Sequence, residues 1–252
     1  NFRKFALLGD PAVRLALPQH QIVTDSLNGV SITAVIDTIK ALSVVTISGH
    51  IEDYAGQVLT SFNGVVYPLI YDKKLNLSTL GNSAGSSVAP FETWKNVVYK
   101  GKATVLNGVF KFSFVVPQDI SFQYGNSRIS YYAENGEEDA QGYSEDAIIG
   151  GIDTAAISDD QGPDISLYMN DDSFVSGGIT DENPDLFAKV FDENGINMVG
   201  NGVGHNIEAV IDENTSESII LNDFYEADLD TYKSGRISYP FYDLEEGNHT
   251  LS

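Results

Sequence analysis

Apolar and polar residues alternate along most of this chain, and no window of a dozen residues keeps the 3.6-residue period over its whole length, so the pattern predicts an all-β protein. From Val44 to Glu52, Val45, Ile47 and Ile51 fall on one side and Thr46, Ser48, His50 and Glu52 on the other, with Gly49 in the remaining inward slot. That is the pattern of a half-solvated antiparallel strand. Lys102 to Val116 reads as a hairpin. Ala103 and Val105 lead into Asn107-Gly108, a pair suited to the positive φ values of a type I′ turn, and Phe110, Phe112 and Phe114 then share a face that is expected to be core. Arg128 to Glu134 repeats the alternation, with Ile129, Tyr131 and Ala133 opposite Ser130, Tyr132 and Glu134.

The stretch from Asp153 to Pro163 is short of large apolar residues and holds Asp153, Asp159, Asp160, Gly162 and Pro163, the composition of a domain boundary. Beyond it short strands resume. Ile165, Leu167 and Met169 alternate, as do Leu186, Ala188 and Val190, then Ile207, Ala209 and Ile211, and finally Ile237, Tyr239 and Phe241. A weak internal repeat crosses the boundary: Ile51 to Gly56, followed by a strand ending at Asp72, parallels Val190 to Gly195, followed by one ending at Asp212. Each copy has Asp-x-x-Gly after a strand. Regularly spaced short strands favour immunoglobulin-like β-sandwiches, a reading that spacing alone does not separate from a barrel.

Composition narrows the function classes. A chain of 252 residues, 42% hydrophobic, can bury one large core or two of about 100 to 130 residues each. Its formal charge of −22 repels phosphate backbones and anionic lipid, so no nucleic-acid partner is expected, and the apolar runs are too short for direct membrane insertion. Divalent cations or basic proteins suit it better. The absence of cysteine excludes disulfides, thiolate zinc sites and thiol catalysis by this chain, and leaves the compartment open. The chain opens on Asn1 and carries nothing like a signal peptide, and Asn248 to Ser252 stops as a strand begins. The expectation is a fragment of something longer, truncated within its last module.

One stretch near the start carries a resemblance. Phe5 to Leu17 runs through Gly9-Asp10-Pro11 into a hydrophobic segment ended by Pro18, like the last strand of one domain crossing into the next. Leu8 to Val13 is similar to the segment that closes the peptidase domain of gingipain-like cysteine peptidases, and Ala6 to Leu17 most resembles the type IX secretion signal peptidases (PorU-type sortases) of Bacteroidetes. Asp37 to Ser43 with Gly101 to Val105, Gly162 to Ile165 with Leu167 to Asp171, and Gly204 to Ile207 with Ile211-Asp212 resemble later parts of the same family. The resemblance implies a peptidase tail over 1–21, a first immunoglobulin-like sandwich over 22–153 and a second over 154–252. The family's nucleophile is a cysteine, which this chain lacks, so the resemblance implies a non-catalytic accessory region. It would support an upstream peptidase domain of the same protein and present substrates or partners. Those partners would be secreted cargo proteins and outer-membrane secretion components, and the location the outer face of the outer membrane. The family as a whole implies removal of a C-terminal sorting domain and transfer of cargo to a lipopolysaccharide anchor.

Candidate sites are few. His20, His50, His205 and His249 sit in no catalytic motif, and no Gly-x-Ser-x-Gly elbow occurs. His205, between Gly204 and Asn206, is a candidate binding residue because glycine lets backbone approach closely; the competing reading is a histidine that serves its own loop. Calcium takes six to eight oxygen ligands, and Asp159, Asp160 and Asp164 at the boundary, with Asp171 and Asp172, are the candidate calcium ligands against a simple solvated acidic surface. Trp94 is a candidate contact for a glycan or a domain, or else core. Leu80 to Ser87 is glycine-rich but lacks the Lys-Ser/Thr ending of a phosphate cradle and reads as a loop. Asp25-Ser26-Leu27, Asp37-Thr38-Ile39 and Asp153-Thr154-Ala155 look like short O-glycosylation acceptors. The rival to the peptidase reading is a surface adhesin or glycan-binding module of stacked sandwiches, held together by calcium.

Overall fold

The computed structural model describes residues 17–34, 38–156, 161–198 and 206–252. The expected peptidase tail lies almost wholly outside them, as do Asp159, Asp160 and His205. Up to residue 152 the strands are β1 (His20–Leu27), β2 (Val30–Ser31), β3 (Ile39–Ala41), β4 (Val44–Glu52), β5 (Gly64–Tyr71), β6 (Leu75–Ser78) and β7 (Pro90–Thr93). They continue with β8 (Val97–Lys100), β9 (Ala103–Leu106), β10 (Val109–Val115), β11 (Gly125–Asn126), β12 (Arg128–Glu134), β13 (Asp139–Ser144) and β14 (Ile148–Ile152). Seven of these form a ring in the order β12-β13-β1-β4-β10-β9-β5, and β5 pairs back onto β12 from Val65↔Glu134 to Tyr71↔Arg128. The first unit is therefore a closed barrel where two stacked sheets were expected. Because β12 is bonded along both edges, the sheet has no free edge at which to fold over a second one.

The interior follows the alternation. Val45, Ile47 and Ile51 of β4 are all fully buried, and in register Phe114, Phe112 and Phe110 of β10 stand beside Val45, Ile47 and Gly49. Gly49 is small for a reason: a Cβ there would lie 2.5 Å from Phe110 Cζ and 2.4 Å from Val23 O. Tyr99 stacks on Phe114 with centroids 4.7 Å apart and on Phe112 at 5.9 Å, a dry aromatic column. The turn before β10 takes the expected form, with φ of 52° at Asn107 and 76° at Gly108. In β1 a bulge between Thr24 and Ser26 resets the alternation, so that Ile22, Thr24 and Leu27 all point inward. One end of the barrel is closed by the small sheet β11-β14-β3, whose Ile39, Ala41 and Ile149 are fully buried. Beside it the buried Asp72 carboxylate accepts from Lys73 Nζ at 2.6 Å and Ser121 N at 3.2 Å, pinning the end of β5 to the loop before β11.

The second unit has β15 (Asp164–Met169), β16 (Asp185–Phe191), β17 (Glu208–Ala209), β18 (Ile219–Ile220), β19 (Tyr225–Ala227) and β20 (Ser234–Pro240). Four make a sheet in the order β15-β16-β20-β19. A thinner layer packs over it: β18 pairs with β17, and Val210 exchanges both backbone hydrogen bonds with Ser252, at 2.8 and 3.0 Å. Leu186, Ala188, Ile237, Tyr225 and Leu221 form the core between. The Asp-x-x-Gly repeat is real as local structure. Asp53 Oδ1 accepts from Ala55 N and Asp192 Oδ1 from Asn194 N, and each aspartate carbonyl accepts from the following glycine, Gly56 or Gly195, at positive φ. The topologies around the two turns differ, so the repeat is one of turns and not of units.

The units touch through polar groups. Asp230, at the tip before β20 with φ of 61°, accepts from Thr104 N at 2.7 Å and Thr104 Oγ1 at 2.6 Å and donates its own N–H to Lys102 O at 3.0 Å. Lys102 Nζ also bonds Glu226, which holds that carboxyl below its ordinary pKa. Tyr232 packs against the barrel core.

Candidate functional site

Among the ring's pairings one is parallel. β1 and β13 run parallel and pair only at His20↔Ala140 and Gln21↔Gln141. At the next step Gly142 lets them touch, since a Cβ there would sit 2.0 Å from Ile22 O. Beyond it a cleft of about 750 Å³ opens, with Val23 and Thr24 on one wall and Tyr143 and Ser144 on the other. Its floor is a buried pair, Thr24 Oγ1 and Tyr131 Oη, 2.9 Å apart. Burial pushes the Tyr131 phenol up, so it stays neutral and offers hydrogen bonding, not acid–base chemistry.

A cation–π stack flanks the cleft. The Arg128 guanidinium lies 4.4 Å from the Tyr143 ring and 5.0 Å from Trp94, and Lys74 Nζ is 4.3 Å from Trp94. Arg128 Nη1 also bonds Glu145 Oε1 at 2.9 Å and Nε bonds Ser130 Oγ at 3.1 Å, so its plane is fixed. Trp94 is thus neither core nor free: its ring is half-buried under two cations, and its buried Nε1 has no hydrogen-bond partner among the described residues. Tyr143 is 64% exposed and offers its other face to solvent. Such a groove suits an extended peptide, through unpaired strand backbone, hydroxyls and aromatic faces.

The described histidines are turned to carboxylates. His50 Nδ1 lies 2.8 Å from Asp25 Oδ1, His249 Nδ1 lies 2.8 Å from Asp212 Oδ2, and His20 sets its ring edge on Phe62 with Nε2 3.4 Å from Glu138. The calcium candidates are not brought together. Asp164 begins β15 and Asp171 and Asp172 follow its end, which a strand rise of about 3.3 Å per residue places roughly 20 Å away. Asp171 Oδ1 accepts from Ser173 N at 2.8 Å, and the bonds from Ser173, its hydroxyl first, lower its pKa; Asp172 pairs with Lys189 Nζ at 2.8 Å. Among the described residues no group of three or more histidines or carboxylates is placed to hold a metal ion. The glycine-rich Leu80 to Ser87 loop is the tip of the β6–β7 hairpin, and Ser26 of the first acceptor-like tripeptide is bonded to Ser48 within the sheet.

Sequence reading missed the seam and Arg128. The inward positions of β13 are Ala140, Gly142 and Ser144, too small to register as an apolar alternation, so the strand that presents Tyr143 gave no signal.

No protein-family profile matches the chain, and neither does any curated protein. Among solved structures, dimeric latent PorU from Porphyromonas gingivalis is similar over 97% of this chain and 23% of its own, at 32% identity and a TM-score of 0.57. A red sea bream transglutaminase, at 6% identity and a TM-score of 0.28 over 94% of this chain and 28% of its own, is too distant to bear on the fold. The chain is thus related to PorU along nearly its whole length, and it spans 23% of that protein.

Proposed function

We propose that this chain is a non-catalytic accessory region of a PorU-related cysteine peptidase of the type IX secretion system, displayed at the outer surface of the cell. The observation that carries the reading is the 32% identity sustained over 97% of the chain against a protein more than four times as long. With no cysteine among its 252 residues, this region cannot supply a thiol nucleophile, so the hydrolytic step belongs to another part of the polypeptide. What the region contributes is a rigid barrel, bonded to a second unit by Asp230 and Lys102, and a seam groove fitted to extended protein substrates or partners. The strand order β15-β16-β20-β19 matches the A-B-E-D sheet of an immunoglobulin-like sandwich and supports that reading of the second unit.

The test is to raise an antibody to this chain, capture the native polypeptide from intact cells and determine its mass and sequence. A larger polypeptide, exposed to surface labelling and carrying a cysteine that reacts with a thiol-directed peptidase probe, is the expected result. A polypeptide without such a domain, or peptide hydrolysis by the isolated 252-residue chain, overturns the proposal.

A further inference from the structure

One hairpin stands away from the barrel that carries it. Among the described residues β6 and β7 pair only with each other, from Leu75↔Thr93 to Ser78↔Pro90, and Thr79 N donates to Ala89 O at 2.9 Å, one step further. Five pairs at the rise of a strand make an arm roughly 15 Å long. No residue from Asn76 to Glu92 is buried, and the chain on either side is described without a break from 38 to 156. Alternation sorts the arm into two faces. Lys74, Asn76, Glu92 and Trp94 share one, where Lys74 Nζ lies 3.9 Å from Glu92 Oε2 and 4.3 Å from the Trp94 ring. Leu75, Leu77, Phe91 and Thr93 share the other, and there Leu77 and Phe91, directly paired across the strands, are 38% and 44% exposed. At the tip Leu80 and Val88 are more exposed still. A two-stranded hairpin is marginal in water on its own, and one that holds a leucine beside a phenylalanine in solvent is stabilised when something covers that face.

Charge selects what covers it. Residues 73–118 hold six lysines and one acid, Glu92, while the rest of the chain holds eight basic and 35 acidic residues. From Leu75 to Phe91 the arm has no charged side chain, and Lys95, exposed just past its base, forms no ion pair among the described residues. The molecule as a whole repels anions, yet in this segment the sign is reversed. A basic partner, which the net charge favours elsewhere, is disfavoured here. Two copies meeting hairpin to hairpin bring their lysine-rich segments together, which repels them. Residues 1–16, with three basic side chains and one acid, have the wrong sign as well.

We propose that the β6–β7 hairpin docks an acidic protein partner, through an extended segment whose alternate apolar side chains cover Leu77 and Phe91 and whose carboxylates lie toward Lys95 at the base of the arm. Five residue pairs are far fewer than the roughly 20–30 residues a side of a stable interface, so the contact is weak and reversible by itself and gains strength when other contacts hold the partner nearby. This inference depends neither on the cleft beside β13 nor on a peptidase elsewhere in the polypeptide.

The probes are two synthetic strands, the capped peptide Glu-Val-Glu-Ile-Glu-Val-Glu and the same peptide with lysine at every glutamate, titrated into the 252-residue chain by calorimetry and by backbone amide shifts. The acidic strand is expected to bind, with shifts centred on residues 75–93, and the basic strand not to. Leu77→Ser with Phe91→Ser changes two exposed positions, so thermal unfolding of the barrel should be unmoved while binding weakens about tenfold or more. Lys95→Glu should weaken it about threefold, and added salt should weaken it in the native chain. Absence of binding by the acidic strand overturns the proposal, as does equal binding of the two strands or binding that survives the double substitution. A dimer of the native chain in sedimentation that the double substitution abolishes also overturns it and assigns the face to a second copy.

Discussion

In the barrel each strand of the ring is bonded on two sides, whereas in the second unit β15 and β19 end the sheet with one partner each. The barrel's apolar face is enclosed by its own curvature, and its aromatic column of Tyr99, Phe112 and Phe114 is buried without help from a second layer. The second unit depends on a covering layer of two-residue strands and residues 250–252, and on β15 Ile165 and Leu167 stay exposed while Met169 packs against the core. Closure makes one unit self-sufficient, and the open sheet makes the other dependent on what packs against it.

The largest expected effect tests the self-sufficiency of the barrel. Phe114 is fully buried, so Phe114→Ala removes a stacked ring and leaves a cavity, at a cost of about 3–5 kcal/mol. Trp94, the only tryptophan, lies in this unit and reports on it alone. Its fluorescence during urea unfolding should move to lower denaturant by that amount, while amide exchange in β16 and β20 keeps its protection. A loss under about 1 kcal/mol would mean that the column is not close-packed.

A smaller effect tests how far the units depend on each other. Asp230→Ala removes the acceptor of two bonds from Thr104, in a partly solvated junction where such bonds contribute about 1 kcal/mol. The expected outcome is a wider separation between the Trp94 transition and that of the second unit, with the barrel's own midpoint unchanged. Coincident transitions in the variant would show that the clasp does not couple them.

How much of this contrast was legible in the sequence depends on side-chain size. Phe110, Phe112, Phe114 and Asn107-Gly108 announced their hairpin, because large inward residues and a positive-φ turn leave marks in one dimension. Barrel closure left none. It rests on β12 bonding β5 as well as β13, a pairing across 57 to 69 residues that period-two alternation serves equally well in a sandwich. The seam was hidden by small inward residues, and the Trp94–Arg128–Tyr143 stack joins three strands or loops that no spacing rule connects. Ile165 and Leu167 were read as strand residues, and so they are, but alternation does not say whether the face they share is covered.

The smallest effect sharpens the open side of the comparison, at the segment that pairs with Val210 in the covering layer. His249 Nδ1 bonds Asp212 Oδ2 at 2.8 Å and Nε2 bonds the Glu245 carbonyl at 2.7 Å, while Asp212 Oδ1 accepts from Thr250 N at 2.8 Å. Two acceptors favour the imidazolium, so the pKa of His249 is raised, first by the Glu245 carbonyl and then by Asp212. That of Asp212 is lowered, first by the Thr250 amide and then by His249. The signs set a window. The histidine's contribution is complete below its unfolded value of about 6.5 and is lost as pH rises through the higher folded value, and the aspartate's is complete above about 3.9 and is lost as pH falls through the lower one. Residues 250–252 should therefore hold most firmly to Val210 and Asp212 between about pH 4 and 6.5 and loosen as pH rises above it. Exchange protection at the amides of Val210, Asp212 and Ser252, corrected for intrinsic rates, should fall from pH 6 to pH 8, and His249→Gln should flatten that profile. Because both groups are solvent-exposed, the change should remain local: it should loosen residues 250–252 from the covering layer, without moving the Trp94 transition of the barrel. A pH profile identical in the native chain and in His249→Gln would show that this clasp does not hold the edge.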